Sequence, residues 1–288
     1  MYLADCGYEV KALVRNPQNS INALKHKNIE LVKWNIEMHP EEIIKYIDGA
    51  DCVINLAGSN VAGKRWNDEV KKEIYDSRIN STRQLVNAIE LCKEKPKTFI
   101  TACGTGIYGF RGDEDITENS SYGNDFLAKV CIDWEKEAFK AEKLCRVVSV
   151  RTGVVLEQNE GALKELMTPF KFFAGSWLGN GKQWFPWIHI KDIIEVYKSS
   201  IEDANISGPI NAVSPDLVRN KEFCKELGKV MHRPCLLPVP GFVLKIAVGE
   251  FADTLLNGQK VLPNKLENLN FPFRFKNLTS ALKDLIHS

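Results

Sequence analysis

Residues able to do chemistry follow three apolar runs that the sequence predicts to be buried strands. Asn55, Leu56, Ala57 and Gly58 follow one run, the segment 103–109 follows another, and Arg151, Thr152, Gly153 and Val154 close the third. Small residues at a strand end let a flat ligand approach the backbone, and open α/β sheets bind ligands at these ends. The hydroxyl of Thr105 and the phenol of Tyr108 are candidates for proton transfer or substrate hydrogen bonding. The alternative for the segment 103–109 is an ordinary turn in which Tyr108 is simply a packed aromatic ring.

A second set of polar residues lies on two predicted helices. Ser77, Arg78, Ser81 and Thr82 interrupt the apolar stripe of a helix predicted from Asn67 to about Lys93. Polar side chains on an inward face must find hydrogen-bond partners. These partners are either solvent and helix caps or a ligand lying over the strand end. The other helix, predicted from Asp125 to Leu144, carries Lys129.

Aromatic residues crowd the segment 183–190, where a substrate-binding region would meet the sheet. Trp187 and His189 could stack on a sugar or a nucleotide base. Core packing with a hydrogen-bonded histidine is the more common arrangement, and the sequence leaves both open. The glycine-rich segment 175–181 before it is predicted to be a flexible loop, and Asp192 after it to cap a helix.

Alternating strands and helices must position these residues. Strands are predicted at 9–14, 29–34, 51–56, 98–102, 146–153 and 209–213. Helices are predicted at 17–27, 40–47, 67–93, 125–144, 161–173 and 220–231, with an extended connector at 234–240 and short helices after it. Strands that alternate with helices indicate a doubly wound parallel sheet with right-handed crossovers, which is an α/β fold.

Composition limits the partners. The net charge of +1 over 288 residues argues against nucleic acid or an anionic membrane as the main partner. No apolar run approaches a membrane span, and the N-terminus lacks a signal pattern, so we expect a cytoplasmic protein. The eight cysteines have no metal-ligand spacing, which predicts reduced thiols and no metal site.

Taken together, these motifs resemble the extended short-chain dehydrogenase/reductase superfamily, and more closely its atypical branch of "epimerase family", sugar-nucleotide-epimerase-like proteins. The resemblance runs from about Gly7 to Leu285. The motifs that carry it are Asn55 to Gly58, Lys64 to Trp66, Ser77-Arg78, Thr105 to Gly109, Asp125 with Lys129, Trp134-Glu135, Arg151 to Leu156, Trp187 to Ile190, Asn211 to Pro215, Arg233-Pro234, Gly249-Glu250 and Phe271 to Phe273.

The resemblance implies a Rossmann-type sheet that binds a dinucleotide. Asn55, Leu56, Ala57 and Gly58 would line the cofactor near its ribose and pyrophosphate, Lys129 would reach the nicotinamide ribose, and Arg151, Thr152, Gly153 and Val154 would flank the nicotinamide. Arg15, followed by Asn16, stands after a strand where NAD-binding proteins place an acidic residue. An arginine there accommodates a 2′-phosphate, so NADP is predicted, with NAD as the alternative. Arg65, Trp66, Arg78, Trp187 and His189 are the candidate substrate contacts.

The chain departs from the superfamily at its proton-transfer pair, a tyrosine four residues before a lysine. Asp125 occupies the tyrosine position relative to Lys129, and the nearest phenol is Tyr122. The usual Ser/Thr partner falls near Cys103, which leaves Thr101 or Thr105. Lys129, Asp125, Tyr108 and Thr105 are therefore the candidate catalytic residues, with Tyr122 as a further acid/base candidate.

A second departure concerns the first strand and its glycine-rich turn, which a dinucleotide site normally uses for the pyrophosphate. Only residues 1–7 precede the first predicted strand, and they look like the last turns of a helix. We therefore expect either a fragment from a misplaced start or weak NADP binding.

Residues 1–232 are predicted to form the NAD(P)-binding domain, with 155–190 contributing to the substrate lobe, and 233–288 a C-terminal module. The leading function is an NADP-dependent oxidoreductase or epimerase (isomerase) acting on a small metabolite, with nucleotide-linked sugars as the candidate class, as a monomer or homodimer. The alternatives are a catalytically silent NADP-binding protein and a fragment that does not bind.

Overall fold

A computed structural model describes residues 1–287. The strands are β1 Val10–Val14, β2 Ile29–Lys33, β3 Cys52–Asn55, β4 Thr98–Gly104, β5 Asp115–Ile116, β6 Arg146–Thr152, β7 Val154–Leu156, β8 Gly175–Leu178, β9 Trp187–His189, β10 Gly208–Ala212, β11 Cys235–Val239 and β12 Lys260–Val261. The helices are α1 Tyr2–Asp5, α2 Pro17–Ser20, α3 Pro40–Ile47, α4 Asp68–Leu91, α5 Phe126–Ala138, α6 Gly161–Lys171, α7 Ile190–Glu202, α8 Asn220–Met231, α9 Gly241–Val248, α10 Phe251–Leu256, α11 Asn264–Asn268 and α12 Leu278–His287.

Four parallel strands form the central sheet in the order β10-β6-β4-β3. Both faces are apolar because helices cover both. Phe99 and Val147 pack with Leu85 of α4 on one face, while Ile100 packs with Val196 of α7 on the other. Runs of buried β-branched and aromatic residues are typical of such parallel strands. The predicted Rossmann-type parallel sheet is confirmed.

The strands β1 and β2 form a separate parallel pair, and no ladder joins β1 to β3 within residues 1–287. Side chains hold this pair to the rest of the molecule. Leu13 and Trp34 pack in the cluster that contains Val53, and the Trp34 Nε1–H donates to Gln84 Oε1 of α4 at 2.7 Å. Packing and side-chain hydrogen bonds, several of them made by Gln84, therefore hold this pair in place of a backbone ladder.

Helix α4 confirms the interrupted stripe seen in the sequence. It begins after Asn67, whose side chain accepts from the Val70 N–H, as a helix N-cap does. Ile74, Leu85 and Ile89 are buried toward the core. The helix runs for 24 residues, or about 36 Å. Thr82 contacts the last residue of β3, so roughly the first 20 Å of α4 extends beyond the sheet edge and can wall a cleft.

Other boundaries were predicted less well. Gly175 to Leu178, expected in a loop, forms β8 and pairs in parallel with β11, the expected connector. The helix expected to reach Leu144 ends at Ala138 and continues as a 3-10 helix, Phe139–Lys143. The helix expected to reach Lys27 ends at Ser20.

Asp192 does not cap α7, because it lies inside the helix. Its carboxylate instead accepts the backbone N–H groups of Arg274 and Phe275 at 2.8 and 3.0 Å. The cap is His189, whose Nδ1 accepts from the Lys191 N–H. The helix therefore begins a few residues earlier than the sequence predicts. The carboxylate of Asp192 binds the C-terminal segment and does not cap the helix.

The C-terminal residues dock on two parts of the fold. Phe275, Leu278 and Leu282 join the cluster that contains Trp187 and Phe223. Strand β12 pairs with β5, and α11 packs near β10.

Helix α9 differs from the rest of the C-terminal part. It has no buried residue, and Phe242 and Ile246 are 68% and 71% exposed.

Within residues 1–287 no helix is long and apolar enough to cross a membrane. Among the same residues, no cluster of three or more His, Cys, Asp or Glu side chains could hold a metal ion.

The cap residue His189 is fully buried, and its ring stacks on Phe275 with 3.8 Å between centroids. Burial lowers the pKa of His189 to about 4, although the Asp284 carboxylate, 3.3 Å from Nε2, opposes this shift. Because Nδ1 accepts the Lys191 N–H, a second proton on the ring would break the helix cap.

We predict that His189 makes stability fall in acid. The unfolded histidine titrates near pH 6.5 and the folded one near 4, so its contribution is complete above about pH 6.5 and is lost as the pH falls toward 4. Between about pH 7 and pH 5 the free energy of unfolding should fall by roughly 2 kcal/mol more in this chain than in His189→Asn, whose amide can still cap. Urea unfolding at both pH values measures this. Equal pH dependence of the two proteins would contradict it.

Candidate functional site

The candidate site lies at the carboxyl edge of the four-stranded sheet, where the sequence analysis placed it. The register sets Asn55 beside Thr101, Cys103 beside Arg151 and Gly104 beside Thr152. Because these strands are parallel, their last residues meet at one edge. The predicted strand-end residues of β3, β4 and β6 are therefore neighbours in space.

The loop after β3 is held by a polar row on α4. Asn55 Nδ2 donates to Thr82 Oγ1 at 2.9 Å, and Asn55 Oδ1 accepts from the Ala57 N–H at 3.0 Å. The Ser59 N–H donates to Ser77 Oγ at 3.0 Å. Asn55 is only 2% exposed, so its amide positions the loop and does not face a ligand.

The next residues of that loop are open. Leu56 is 65% exposed, and Gly58 is exposed as well. The Arg78 guanidinium fills the space beside Gly58, because a Cβ added there would lie 2.9 Å from Arg78 Cζ. The polar residues that interrupt α4 thus hold the loop after β3 through protein contacts, an arrangement that neither of the two sequence hypotheses described.

Tyr108 and Arg151 lie in a buried network behind the site. The Tyr108 hydroxyl donates to Asn211 Oδ1 at 2.6 Å and accepts from Arg151 at 2.8 Å. Arg151 also binds both carboxylate oxygens of Glu135, at 2.9 and 2.6 Å. Tyr108 is fully buried and Arg151 is 1% exposed. Neither side chain faces the open edge, so the structure gives them a packing role where the sequence suggested proton transfer and nicotinamide contact.

The pKa shifts agree with that structural role. Burial raises the pKa of Tyr108 to about 12, although the Arg151 cation opposes the shift. Burial alone would lower the pKa of Arg151, but its hydrogen bonds and ion pair with Glu135 outweigh burial and raise it. At neutral pH the phenol stays protonated and the guanidinium stays charged, which suits a fixed scaffold more than a proton relay.

An exposed phenol lies on the outer side of this network. Tyr122 is 51% exposed, and its ring centroid is 5.5 Å from the Arg151 guanidinium, which lies 5.2 Å from the Tyr108 ring. Of the two phenols that the sequence offered, the structure makes Tyr122 accessible and encloses Tyr108.

Three further candidates lie on or near α5. Asp125 caps the helix, with Oδ1 accepting from the Ala128 N–H at 3.1 Å. Lys129, one turn later, is exposed, and no carboxylate in residues 1–287 lies within ion-pair distance of it. Thr105 is 6% exposed in the short 3-10 helix Thr105–Tyr108. Of these three residues, Lys129 therefore has the side chain most accessible to a ligand.

Close packing explains the glycine after β6. A Cβ on Gly153 would lie 2.6 Å from the Pro186 carbonyl oxygen, and the neighbouring Val154 N–H donates to the same oxygen at 2.7 Å. Thr152 Oγ1 donates to the Val150 carbonyl at 3.2 Å and remains half-buried. The end of β6 is therefore pinned to the segment that leads into β9.

The rim of the site joins the loop before α4 to the C-terminal helices. The Trp66 ring packs against Phe126 and Phe251, with centroids 5.2 and 5.5 Å apart. Arg65 donates to the Ile246 carbonyl at 3.4 Å. The Arg65–Trp66 pair thus lies at the rim, where its role is at least partly to attach α9 and α10.

The remaining predicted residues lie apart from this edge or inside the core. Trp187 is 1% exposed and donates from Nε1 to the Asp216 carbonyl at 2.9 Å. His189 is the buried cap of α7, so the packing alternative describes both residues and substrate contact does not. At the end of β1, Arg15 is exposed, while Asn16 caps α2 by accepting from the Gln18 N–H.

Sequence reasoning gave Glu135 no role, although it appears in the family motif. Its signal is a carboxylate on the inward face of an amphipathic helix, where burial requires a cationic partner. That partner, Arg151, is 16 residues away in sequence.

Comparisons with known proteins agree with this geometry. The sequence profile described as "NAD dependent epimerase/dehydratase family" matches residues 1–212, and that described as "Domain of unknown function (DUF1731)" matches residues 239–285. The chain is 40% identical over 283 residues to epimerase family protein YfhF of Bacillus subtilis, covering 97% of this chain and 90% of that protein.

Two more relatives span most of the chain. The chloroplastic epimerase family protein SDR39U1 homolog of Arabidopsis thaliana is 41% identical over 242 residues, covering 83% of this chain and 70% of that protein. The crystal structure of human epimerase family protein SDR39U1 with NADPH superimposes with a TM-score of 0.89 at 29% identity, covering 100% of this chain and 94% of that one.

We predict that the buried ion pair behind the site is essential for stability. Glu135→Gln leaves Arg151 charged, buried and without a carboxylate, and should lower the free energy of unfolding by about 3–5 kcal/mol. Glu137→Gln is the matched control on the same helix. Glu137 pairs with Arg83 and Lys140, which are half-exposed, and its loss should cost about 1 kcal/mol or less. Urea denaturation compares the two, and equal losses would argue against the assigned role.

Proposed function

This chain belongs to the NAD dependent epimerase/dehydratase family, and we propose that it binds NADP(H) at the carboxyl edge of its sheet and acts as an oxidoreductase or epimerase on a small metabolite of the nucleotide-sugar kind. The observation that carries the proposal is the similarity of the whole chain to human SDR39U1, which was crystallised with NADPH.

The residues at the edge fit a dinucleotide. Leu56 and Gly58 offer open backbone and apolar surface for a flat ring system, and Lys129 and Arg15 are exposed cations free of carboxylate partners in residues 1–287. Phosphate groups are recognised by such cations through charge-assisted hydrogen bonds. This donor set supports the proposal of an anionic, nucleotide-type ligand.

When bound, the nicotinamide would supply or accept the hydride. The side chains of this chain would bind, orient and transfer protons. Arg15 would bind the 2′-phosphate, and Lys129 the nicotinamide ribose. The exposed phenol of Tyr122 would hold the proton that moves to or from the substrate oxygen, in place of the enclosed Tyr108. The Arg65–Trp66 rim would exclude water from one side of the substrate.

A catalytically silent NADP-binding protein is the second candidate function. The observation in its favour is that Asp125 stands where the superfamily has its tyrosine and is used as a helix cap. On that view cofactor occupancy would act as a structural or regulatory signal without turnover.

Arg15 should decide the choice of cofactor. Arg15→Ala removes the charge proposed to meet the 2′-phosphate, so the dissociation constant for NADPH should rise about tenfold or more while that for NADH stays unchanged. Fluorescence titration of both cofactors measures this. Lys11→Ala, which removes an exposed cation from the same strand, is the control and should change neither. An equal loss for NADPH and NADH would contradict the 2′-phosphate role.

Proton transfer should depend on Tyr122 and not on Tyr108. With a panel of nucleotide-linked sugars, epimer ratios and nicotinamide absorbance report turnover. Tyr122→Phe should lower kcat about a hundredfold or more with stability unchanged, because it removes an acid/base group. Tyr108→Phe should lower stability and leave kcat within a fewfold of the native value.

Lys129→Ala and Asp125→Asn complete that experiment. Lys129→Ala should lower kcat, whereas Asp125→Asn keeps the helix cap and should affect turnover only if the carboxylate itself takes the proton. Cofactor binding without turnover on any sugar of the panel would favour the silent alternative.

A further inference from the structure

We propose that Arg78, which lies beside Gly58 just after the end of β3, is the anchor for a phosphate-type anion of the bound ligand. The anion site is argued from the structure itself. Only its assignment to the cofactor, as opposed to a phosphorylated substrate, rests on the function proposed above.

The charge of Arg78 is uncompensated within residues 1–287. The side chain is half-buried, and no carboxylate in that part of the chain lies within ion-pair distance. Its hydrogen bond goes from Nη1 to the Ile74 carbonyl of the same helix, at 3.0 Å. A guanidinium has five N–H donors. Most of its donors are therefore available to an oxygen-rich partner.

Two other arginines of the fold, the buried Arg151 and the half-buried Arg146, show how the protein can satisfy such a charge. Arg151 binds both oxygens of the Glu135 carboxylate. Arg146 donates to three backbone carbonyls and to Thr98 Oγ1. Taking a cation out of water is unfavourable unless it is paired and hydrogen-bonded. Within residues 1–287 the fold gives the half-buried Arg78 one hydrogen-bond acceptor, the Ile74 carbonyl, and no carboxylate, so a bound anion would supply the missing charge and further acceptors.

The guanidinium is also fixed in orientation. On one side of the guanidinium lies the Gly58 backbone, so close that a Cβ built on Gly58 would be 2.9 Å from Arg78 Cζ. On the other side lies the Trp134 ring, whose centroid is 5.2 Å from Arg78 Cζ. Stacking on an aromatic face holds the guanidinium in one plane, and a held fork matches the two oxygens of a phosphate. Packing on Trp134 is the purely structural alternative, and a lysine at this position could not reproduce the stacked geometry.

The surroundings leave a route for the anion. Gly58 is exposed and has no side chain, and the adjacent Leu56 side chain is 65% exposed. Ser59 and Ser77 lie next to the fork, with hydroxyl oxygens 3.2 Å apart. An anion that approaches Gly58 from the open edge therefore meets a cation and hydroxyl groups, with no carboxylate recorded as a partner of either serine.

Two variants with a matched control test the proposal. Arg78→Gln removes the charge, whereas Gly58→Ala keeps the charge but displaces the guanidinium. Arg83→Gln is the control, because it removes from the same helix a charge that is already paired with Glu137. The probe is inorganic pyrophosphate alone, followed by thermal shift at constant ionic strength. Arg78→Gln and Gly58→Ala should each weaken pyrophosphate binding about tenfold to a hundredfold, with Arg83→Gln unchanged. Arg78→Lys should retain part of the affinity.

NADPH and the phosphate-free reduced nicotinamide riboside distinguish the two sources. If the cofactor supplies the anion, Arg78→Gln weakens NADPH about as much as pyrophosphate and leaves the riboside unchanged. If the substrate supplies it, pyrophosphate binding falls while NADPH binding is kept. In either case the anion site is supported.

Unchanged pyrophosphate binding in Arg78→Gln and Gly58→Ala, or no pyrophosphate binding by the native chain, overturns the proposal even if NADPH binds. If Arg78→Gln does not fold, Gly58→Ala decides alone. Arg78-dependent pyrophosphate binding without any NADPH binding would keep the anion site and reject the proposed cofactor.

Discussion

The buried ion pair between Arg151 and Glu135 is the interaction on which the rest of the structure depends. Arg151 lies on β6 and Glu135 on α5, and the same guanidinium donates to Tyr108, which follows β4. The Tyr108 hydroxyl continues the network to Asn211 on β10. One charged group therefore fixes three adjacent strands and a helix relative to each other, directly beneath the carboxyl edge of the sheet.

The network also reaches the C-terminal residues. Glu118 Oε1 accepts the backbone N–H groups of Asn211 and Lys265, and Asn211 Nδ2 donates to the Leu262 carbonyl. Since every buried polar group in this chain of contacts has a partner, the desolvation cost of the ion pair is offset by geometry, as buried charges require. The network thus connects the ends of the central strands to the C-terminal residues through hydrogen-bonded polar groups.

The sequence was sufficient for the sheet and insufficient for the roles of its polar residues. Strands such as 98–102 and helices such as 40–47 could be predicted because hydrophobic periodicity and the glycine and proline residues that flank an element are local signals. The β8–β11 pairing was missed because its partners lie some 60 residues apart and Gly175 reads as a loop residue. Tyr108 and Arg151 were taken for site residues because a strand end was visible in the sequence, while their distant partners were not.

The same limitation applies to the polar residues of the candidate site. The polar row on α4 was detectable, since polar residues interrupting an apolar stripe need partners, and its contacts with the β3 end agree with that. Whether each such residue faces the protein or a ligand depends on what the fold places opposite it. Arg151 meets a carboxylate, whereas Arg78 meets a glycine and an indole ring.

The rim shows that the C-terminal helices are part of the site. Lys71 of α4 pairs with Glu250 at 2.6 Å, and Trp66 packs between Phe126 of α5 and Phe251 of α10. The ion pair is partly exposed and contributes little stability alone, so the aromatic contacts carry most of the attachment. Glu250 and Phe251 thus attach the start of α10 to α4 and, through Trp66, to α5. The buried ion pair of Arg151 and Glu135 beneath and this partly exposed ion pair above therefore differ in what they contribute, since breaking a buried charge pair is costly and breaking an exposed one is not.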